Sequence, residues 1–243
     1  MGGRPLTRPD GRASGELRPV TYELGYQGWA NGSVLFSMGK TRVLCAATVS
    51  EDVPRWLRGT GRGWVTGEYS MLPASTLERS GREVNRGRPG GRTQEIQRLI
   101  GRALRSVTDL GRLGERTVTI DCDVLVADAG TRTASITGGY IALALALRSL
   151  TDGPAPADVL WDSVAAVSVG LVDGEPRVDL CYEEDAGAEV DCNVVMTGGG
   201  ALVEVQGTAE GSPFSRAQLD ELLDLAAAGI AQLTKIQAEA LGI

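Results

Sequence analysis

An α+β fold with two related halves is predicted by three features of the 243-residue chain. Short runs of apolar residues at strand period recur along the sequence, and three longer segments carry apolar residues at helical spacing. The order of strands followed by a helix appears in both halves, which suggests duplication of an α+β unit, with pseudo-repeats at about 10–112 and 113–243 making a single domain over 1–243.

RPVTYEL (18–24) reads as the first strand, and GSVLFSMGKTRVLCAATVSE (32–51) as a hairpin turning near Gly39 and Lys40. GWVTGEYSML (63–72) is another strand. Residues 73–91, PASTLERSGREVNRGRPGG, are polar, basic and glycine-rich without periodicity, which predicts a long exposed loop. Over 93–109, Ile96, Leu99, Ile100, Ala103, Leu104 and Val107 fall on one stripe of an amphipathic helix. In the strand RTVTIDCDVLVAD, Val118, Ile120, Cys122, Val124 and Val126 share a face. It leads into an apolar helix over 131–150, a linker TDGPAPAD, and strands near 161–172, 176–182, 189–197 and 201–208. The last segment, 215–241, is a helix with Ser215 and Gln218 in a capping box and an apolar stripe through Leu222, Ala226, Ile230 and Leu233.

Composition narrows the chemistry. Hydrophobic content of 42% and charged content of 23% suit a globular protein. No uninterrupted apolar run is long enough to span a bilayer, and MGGRPLTRPDGRASG has no apolar signal core, so a cytoplasmic location with no membrane partner is expected. Cys45, Cys122, Cys181 and Cys192 form no C-x-x-C pair, which favours buried, reduced thiols. There is no histidine. That removes the usual general base, the usual zinc ligand and every Ser-His or Cys-His nucleophile. Chemistry must run on carboxylates, arginines, hydroxyls, backbone amides or a metal. The net charge of −7 argues against a nucleic-acid partner, but its distribution does not: residues 55–116 hold 13 Arg against six Asp and Glu, a local +7 that leaves −14 for the rest.

Three constellations could carry chemistry. At Gly130, Thr131, Arg132 and Thr133 a strand hands over to a helix start, where unpaired N–H groups, hydroxyls and a guanidinium suit an anion; a plain threonine cap beside a solvated arginine fits the same letters. Gly90, Gly91, Arg92 and Thr93 form a second cationic helix start. VDLCYEEDAGAEVD carries six carboxylates; in an extended strand Asp179, Cys181, Glu183 and Asp185 would share one face, and hard oxygen ligands without histidine suit Mg2+ or Mn2+.

Long stretches in fixed order then resemble the bacterial ribonuclease PH family over nearly the whole chain: DGR and ELRP at 10–12 and 16–19, LRGTGRGWVTGEYSMLP at 57–73, GRTQEIQRLIGRALR at 91–105, LGERTVTIDCDVLVADAGTRTASITG at 113–138, YEEDAGAEVDCNVVMTGGG at 182–200, and ELLDLA. The resemblance implies a duplicated β-α-β unit similar to domain 2 of ribosomal protein S5, and a homohexameric ring built as a trimer of dimers. It implies a phosphate site at Arg92, Gly130, Thr131 and Arg132, and catalytic, metal-associated aspartates at Asp179 and Asp185. The implied reaction is attack of inorganic phosphate on the last phosphodiester of a tRNA precursor 3′ end, releasing nucleoside diphosphates, with nucleotide addition as the reverse. Arg79, Arg82, Arg86 and Arg88 in the long loop are candidates for gripping the tRNA body, against the alternative of a solvated loop. Two rivals stand beside this reading: a catalytically silent ring subunit that only threads RNA, and a metal-dependent hydrolase that uses water in place of phosphate.

Overall fold

The computed structural model describes residues 8–243, apart from the side chains of Val84 and Arg86. Among these residues nine strands form two sheets. The first contains β1 (Val20–Leu24), β2 (Gly32–Met38), β3 (Thr41–Ser50), β4 (Trp64–Met71) and β5 (Thr117–Val126), in the order β1-β2-β3-β5-β4. The β2–β3 hairpin pairs Met38 with Thr41, which leaves Gly39 and Lys40 as its two-residue turn; Gly39 has a φ of 57°, the left-handed value such a turn demands. β4 and β5 run parallel and need a crossover, supplied by α1 (Gly91–Arg105) and the single turn α2 (Leu110–Leu113).

The second sheet is antiparallel, in the order β7-β6-β8-β9, from β6 (Val164–Val172), β7 (Glu175–Val178), β8 (Val190–Thr197) and β9 (Leu202–Ala209). Between the sheets lies α3 (Thr131–Arg148), with 15 of its 18 residues buried. A helix apolar on all sides must be an interior helix. It packs on β2, β3 and β5 on one side and on β6 on the other. Small residues allow that proximity: a Cβ at Gly138 would stand 2.8 Å from Phe36 Cβ and 2.9 Å from Cys45 Sγ. β6, covered by both α3 and α6 (Arg216–Leu241), is buried along all nine residues. Ser215 and Gln218 cap α6 reciprocally, as expected.

One apolar core runs through both sheets. The expected repeat boundary at 112/113 therefore cuts across the first sheet, because β5, assigned to the second repeat, pairs with β3 and β4. The segment 151–158 is not all linker, since α4 (Pro156–Val159) forms a turn there. The loop after β4 contains a short 3-10 turn at Glu83–Arg86. A larger correction concerns the strand expected over 176–182. β7 stops at Val178, Asp179 takes a φ of 52°, and α5 (Tyr182–Gly187) follows. The acidic run is a turn and a helix, so Asp179 and Asp185 do not share a strand face.

Candidate active site

A cleft of about 790 Å³ opens where the two sheets meet at the N-terminus of α3. Its lining includes Arg92, Gly130, Thr131, Arg132, Asp185 and Asp191. The local sequence explains the anion-binding side. Gly130, with a φ of 64°, is the N-cap of α3 and no side chain caps the helix. Neither threonine is the cap: the Thr133 hydroxyl donates to the Gly130 carbonyl at 2.8 Å, and the Thr131 hydroxyl is hydrogen-bonded to the buried Tyr69 hydroxyl at 2.8 Å. The first N–H groups of α3 thus face the cleft with the positive end of the helix dipole behind them.

Two arginines stand over this helix end. Arg132 is held from behind, its Nη1 donating to Gln206 Oε1 at 2.9 Å and lying 3.5 Å from Glu95 Oε2. Arg92 enters from the first turn of α1. The start of α1 itself faces a carboxylate, because Glu83 accepts from the Gly90 N–H at 3.3 Å and from the Thr93 hydroxyl at 2.9 Å. Burial raises the Tyr69 phenol above its ordinary range, opposed first by its hydrogen bond with Thr131 and then by the charges of Arg92 and Arg132.

Carboxylates face the arginines from the second sheet. Asp185 projects from α5 and Asp191 from β8. Burial raises the Asp185 carboxyl, opposed by Arg92, Arg132 and Arg18. Burial, and next the Asp185 charge, push Asp191 up to about 6. Asp191 Oδ1 is buried without a hydrogen-bond partner. Among the described residues no group of three or more His, Cys, Asp or Glu could hold a metal ion. Mg2+ nevertheless needs only one or two carboxylates when water and substrate phosphates complete its shell, and the orphaned Asp191 oxygen beside Asp185 fits that requirement.

Asp179 is not in the cleft. Its side chain is wholly buried, and its oxygens accept from Arg18 Nε at 3.0 Å, Arg18 Nη2 at 2.7 Å and the Arg18 main-chain N–H at 2.7 Å. Buried and bound to Arg18 in this way, Asp179 stands away from the cleft, and the carboxylate that lines it together with Asp185 is Asp191. The signal for Asp191 lies in VDCN, where Asp191 and Asn193 occupy alternate positions of an otherwise apolar strand. Of the four loop arginines, Arg79, Arg82 and Arg88 are exposed outside the cleft lining, and the Arg86 side chain lies outside the described residues.

Residues 16–148 match the 3′ exoribonuclease family, domain 1, and residues 162–229 match its domain 2. The chain is 61% identical to ribonuclease PH of Moorella thermoacetica over 98% of its own length and 95% of that protein. It is 59% identical to ribonuclease PH of Solibacter usitatus over 96% and 98%. Among solved structures, rice Rrp46 superposes with a TM-score of 0.79 at 18% identity, covering 97% of this chain and all of that one. The Archaeoglobus fulgidus exosome with RNA bound to the active site gives 0.79 at 22%, over 95% of this chain and 92% of its own. These last two share the fold. With both family domains matched in order and near-complete relatives at about this identity, the chain belongs to the ribonuclease PH family of 3′ exoribonucleases.

Proposed function

We propose that this protein is a phosphorolytic 3′-to-5′ exoribonuclease that trims tRNA precursor 3′ ends, acting in the cytoplasm as a homohexameric ring built as a trimer of dimers. One observation carries the reading: Arg92, Arg132 and an uncapped helix N-terminus converge on one side of a cleft whose other side presents Asp185 and Asp191. That is a receptor for a small oxyanion beside a site for a divalent cation.

Inorganic phosphate binds between the two guanidiniums and the N–H groups at the start of α3, with the Thr131 hydroxyl fixed by Tyr69. A phosphate oxygen attacks the last phosphodiester; the new P–O bond forms as the bond to the 3′ oxygen of the preceding nucleotide breaks, and a nucleoside diphosphate leaves. Phosphate is already anionic, so the absence of histidine is no obstacle. Asp185 and Asp191 would hold Mg2+ or Mn2+, which when bound supplies positive charge to the reacting phosphoryl oxygens. The reverse reaction adds nucleotides from diphosphates to RNA 3′ ends. Arg79, Arg82, Arg86 and Arg88 grip the tRNA body from the loop beside the cleft.

A tRNA precursor with a labelled 3′ trailer tests the proposal. Phosphate-dependent release of nucleoside diphosphates is the expected result; monophosphates formed without phosphate would replace phosphorolysis by hydrolysis.

A further inference from the structure

Arg18 is buried and links Asp179 to Asp128, a residue of the cleft wall. Toward the second sheet it pairs with Asp179 through two side-chain hydrogen bonds. Toward the first it donates from Nη1 to the Asp128 carbonyl and lies 3.7 Å from the Asp128 carboxylate. Its Nη2 would be 3.1 Å from a Cβ at Gly130, so the guanidinium underlies the turn that starts α3. Asp128 in turn accepts from the N–H of Tyr182, the first residue of α5, at 3.2 Å.

Asp179 is held as firmly on its own side. Its left-handed backbone is fixed by its N–H donating to Ser168 O at 2.7 Å, and by Arg8 and Arg12 each donating to its carbonyl at 3.0 Å. Arg8 also forks onto Glu184, the neighbour of Asp185 on α5, with two bonds of 2.8 Å. A residue in an uncommon conformation persists only where its surroundings over-determine it. Here the surroundings are a chain of buried charge-assisted bonds that begins under α5 and ends under the phosphate-holding turn.

We propose that the Arg18–Asp179 pair is a positioning device for the reaction: it fixes the turn Asp128–Gly130 and the helix α5 at one separation, so that bound phosphate and Asp185 meet the same RNA phosphodiester. The proposal rests on the phosphorolytic reading above and adds residues that never touch substrate. The turn and α5 belong to different sheets, and the Arg18 bridge and the Asp128–Tyr182 bond are the ties seen between them.

The test compares Asp179→Asn and Arg18→Lys with the parent protein, using kcat, the KM for inorganic phosphate and product identity on a short oligonucleotide, with melting temperature and light scattering as controls. A displacement of the order of 1 Å at a reacting centre costs about 100-fold in rate, so kcat should fall by about that factor in assembled, folded Asp179→Asn. The KM for phosphate should rise about tenfold, the loss of one good hydrogen bond. Arg18→Lys separates positioning from simple charge burial: it keeps the cation, but one ammonium cannot hold Asp179 and the Asp128 carbonyl together, so the same defects should appear. Wild-type kcat and phosphate KM in either folded variant would overturn the proposal. If neither folds, Asp128→Ala keeps the carbonyl that Arg18 holds but removes the carboxylate that lies 3.7 Å from Arg18 and accepts from the Tyr182 N–H; a shift in the same direction supports the device, and unchanged constants overturn it. Monophosphate products from the parent would refute phosphorolysis, while the variants would still report whether the pair positions the site.

Discussion

Asp191 makes the chemistry of this cleft measurable as stability. Its carboxyl is raised from 3.8 to about 6, by burial first and by the Asp185 charge second. A carboxylate raised on folding binds its proton more tightly in the folded state. The penalty on the metal-free folded protein therefore grows as pH rises from 3.8 to about 6, is complete above about 6, and is absent below 3.8, where both states are protonated. The full difference corresponds to about 3 kcal/mol, and partial solvent access brings it nearer 1–2 kcal/mol. Asp191→Asn removes the charge and keeps the shape. In chelator-treated protein at pH 7.5 it should raise the melting temperature by about 2–8 °C, at roughly 2–4 °C per kcal/mol for a chain of this size. The gain should shrink as pH falls through 6 and vanish near 4, while activity at pH 7.5 should be lost with the carboxylate proposed to hold the metal. Calorimetry of both proteins across pH 4–8 measures this directly. A melting temperature that drops at pH 7.5, or a gain that does not change with pH, would refute the assignment of Asp191 as a strained, functional carboxylate.

Arg132→Ala should leave folding and RNA binding intact while raising the KM for phosphate by about tenfold or more, since it removes a charge-assisted bond to the anion; a phosphate titration of initial rates reads this. Gly130→Ala should cost about 1–3 kcal/mol in denaturant melts and weaken phosphate binding, because its φ of 64° suits glycine and the new Cβ would crowd Arg18 Nη2 at 3.1 Å and Thr133 Oγ1 at 3.2 Å. The quadruple variant of Arg79, Arg82, Arg86 and Arg88 to Ala should flatten the slope of log tRNA affinity against log salt by about 0.7–0.9 per lost contact. Turnover of a short oligonucleotide should change far less; equal damage to both substrates would remove the loop from the tRNA grip.

The strands and the three long helices were legible because period and capping are local: the alternation of β5, the stripe of α1 and the Ser215–Gln218 box each declare themselves within a few residues. The turn that starts α3 was legible for the same reason, as a strand end, a glycine and a helix start in sequence. The carboxylate side was not. DLCYEED suits an alternating strand as well as a turn and helix, and the left-handed conformation of Asp179 that decides between them depends on Arg8, Arg12 and Arg18, more than 150 residues away. Without those contacts Asp179 reads as a ligand, and Asp191, one polar position in an apolar strand, reads as an accident. Strand partners are equally non-local, since β5 pairs by tertiary packing with strands that precede it by about 50 residues or more.

The interior helix α3 gives the cleft a particular inheritance. Its start carries Arg132 and follows a strand of the first sheet, while Arg92 enters on α1 from that same sheet. Asp185 and Asp191 both come from the second sheet's side. Cations and carboxylates are thus encoded in separate stretches of the gene and meet only across α3. Mutation can erase the carboxylates without disturbing the arginines, and a copy altered in that way would keep its grip on phosphate esters while losing the capacity to cut them.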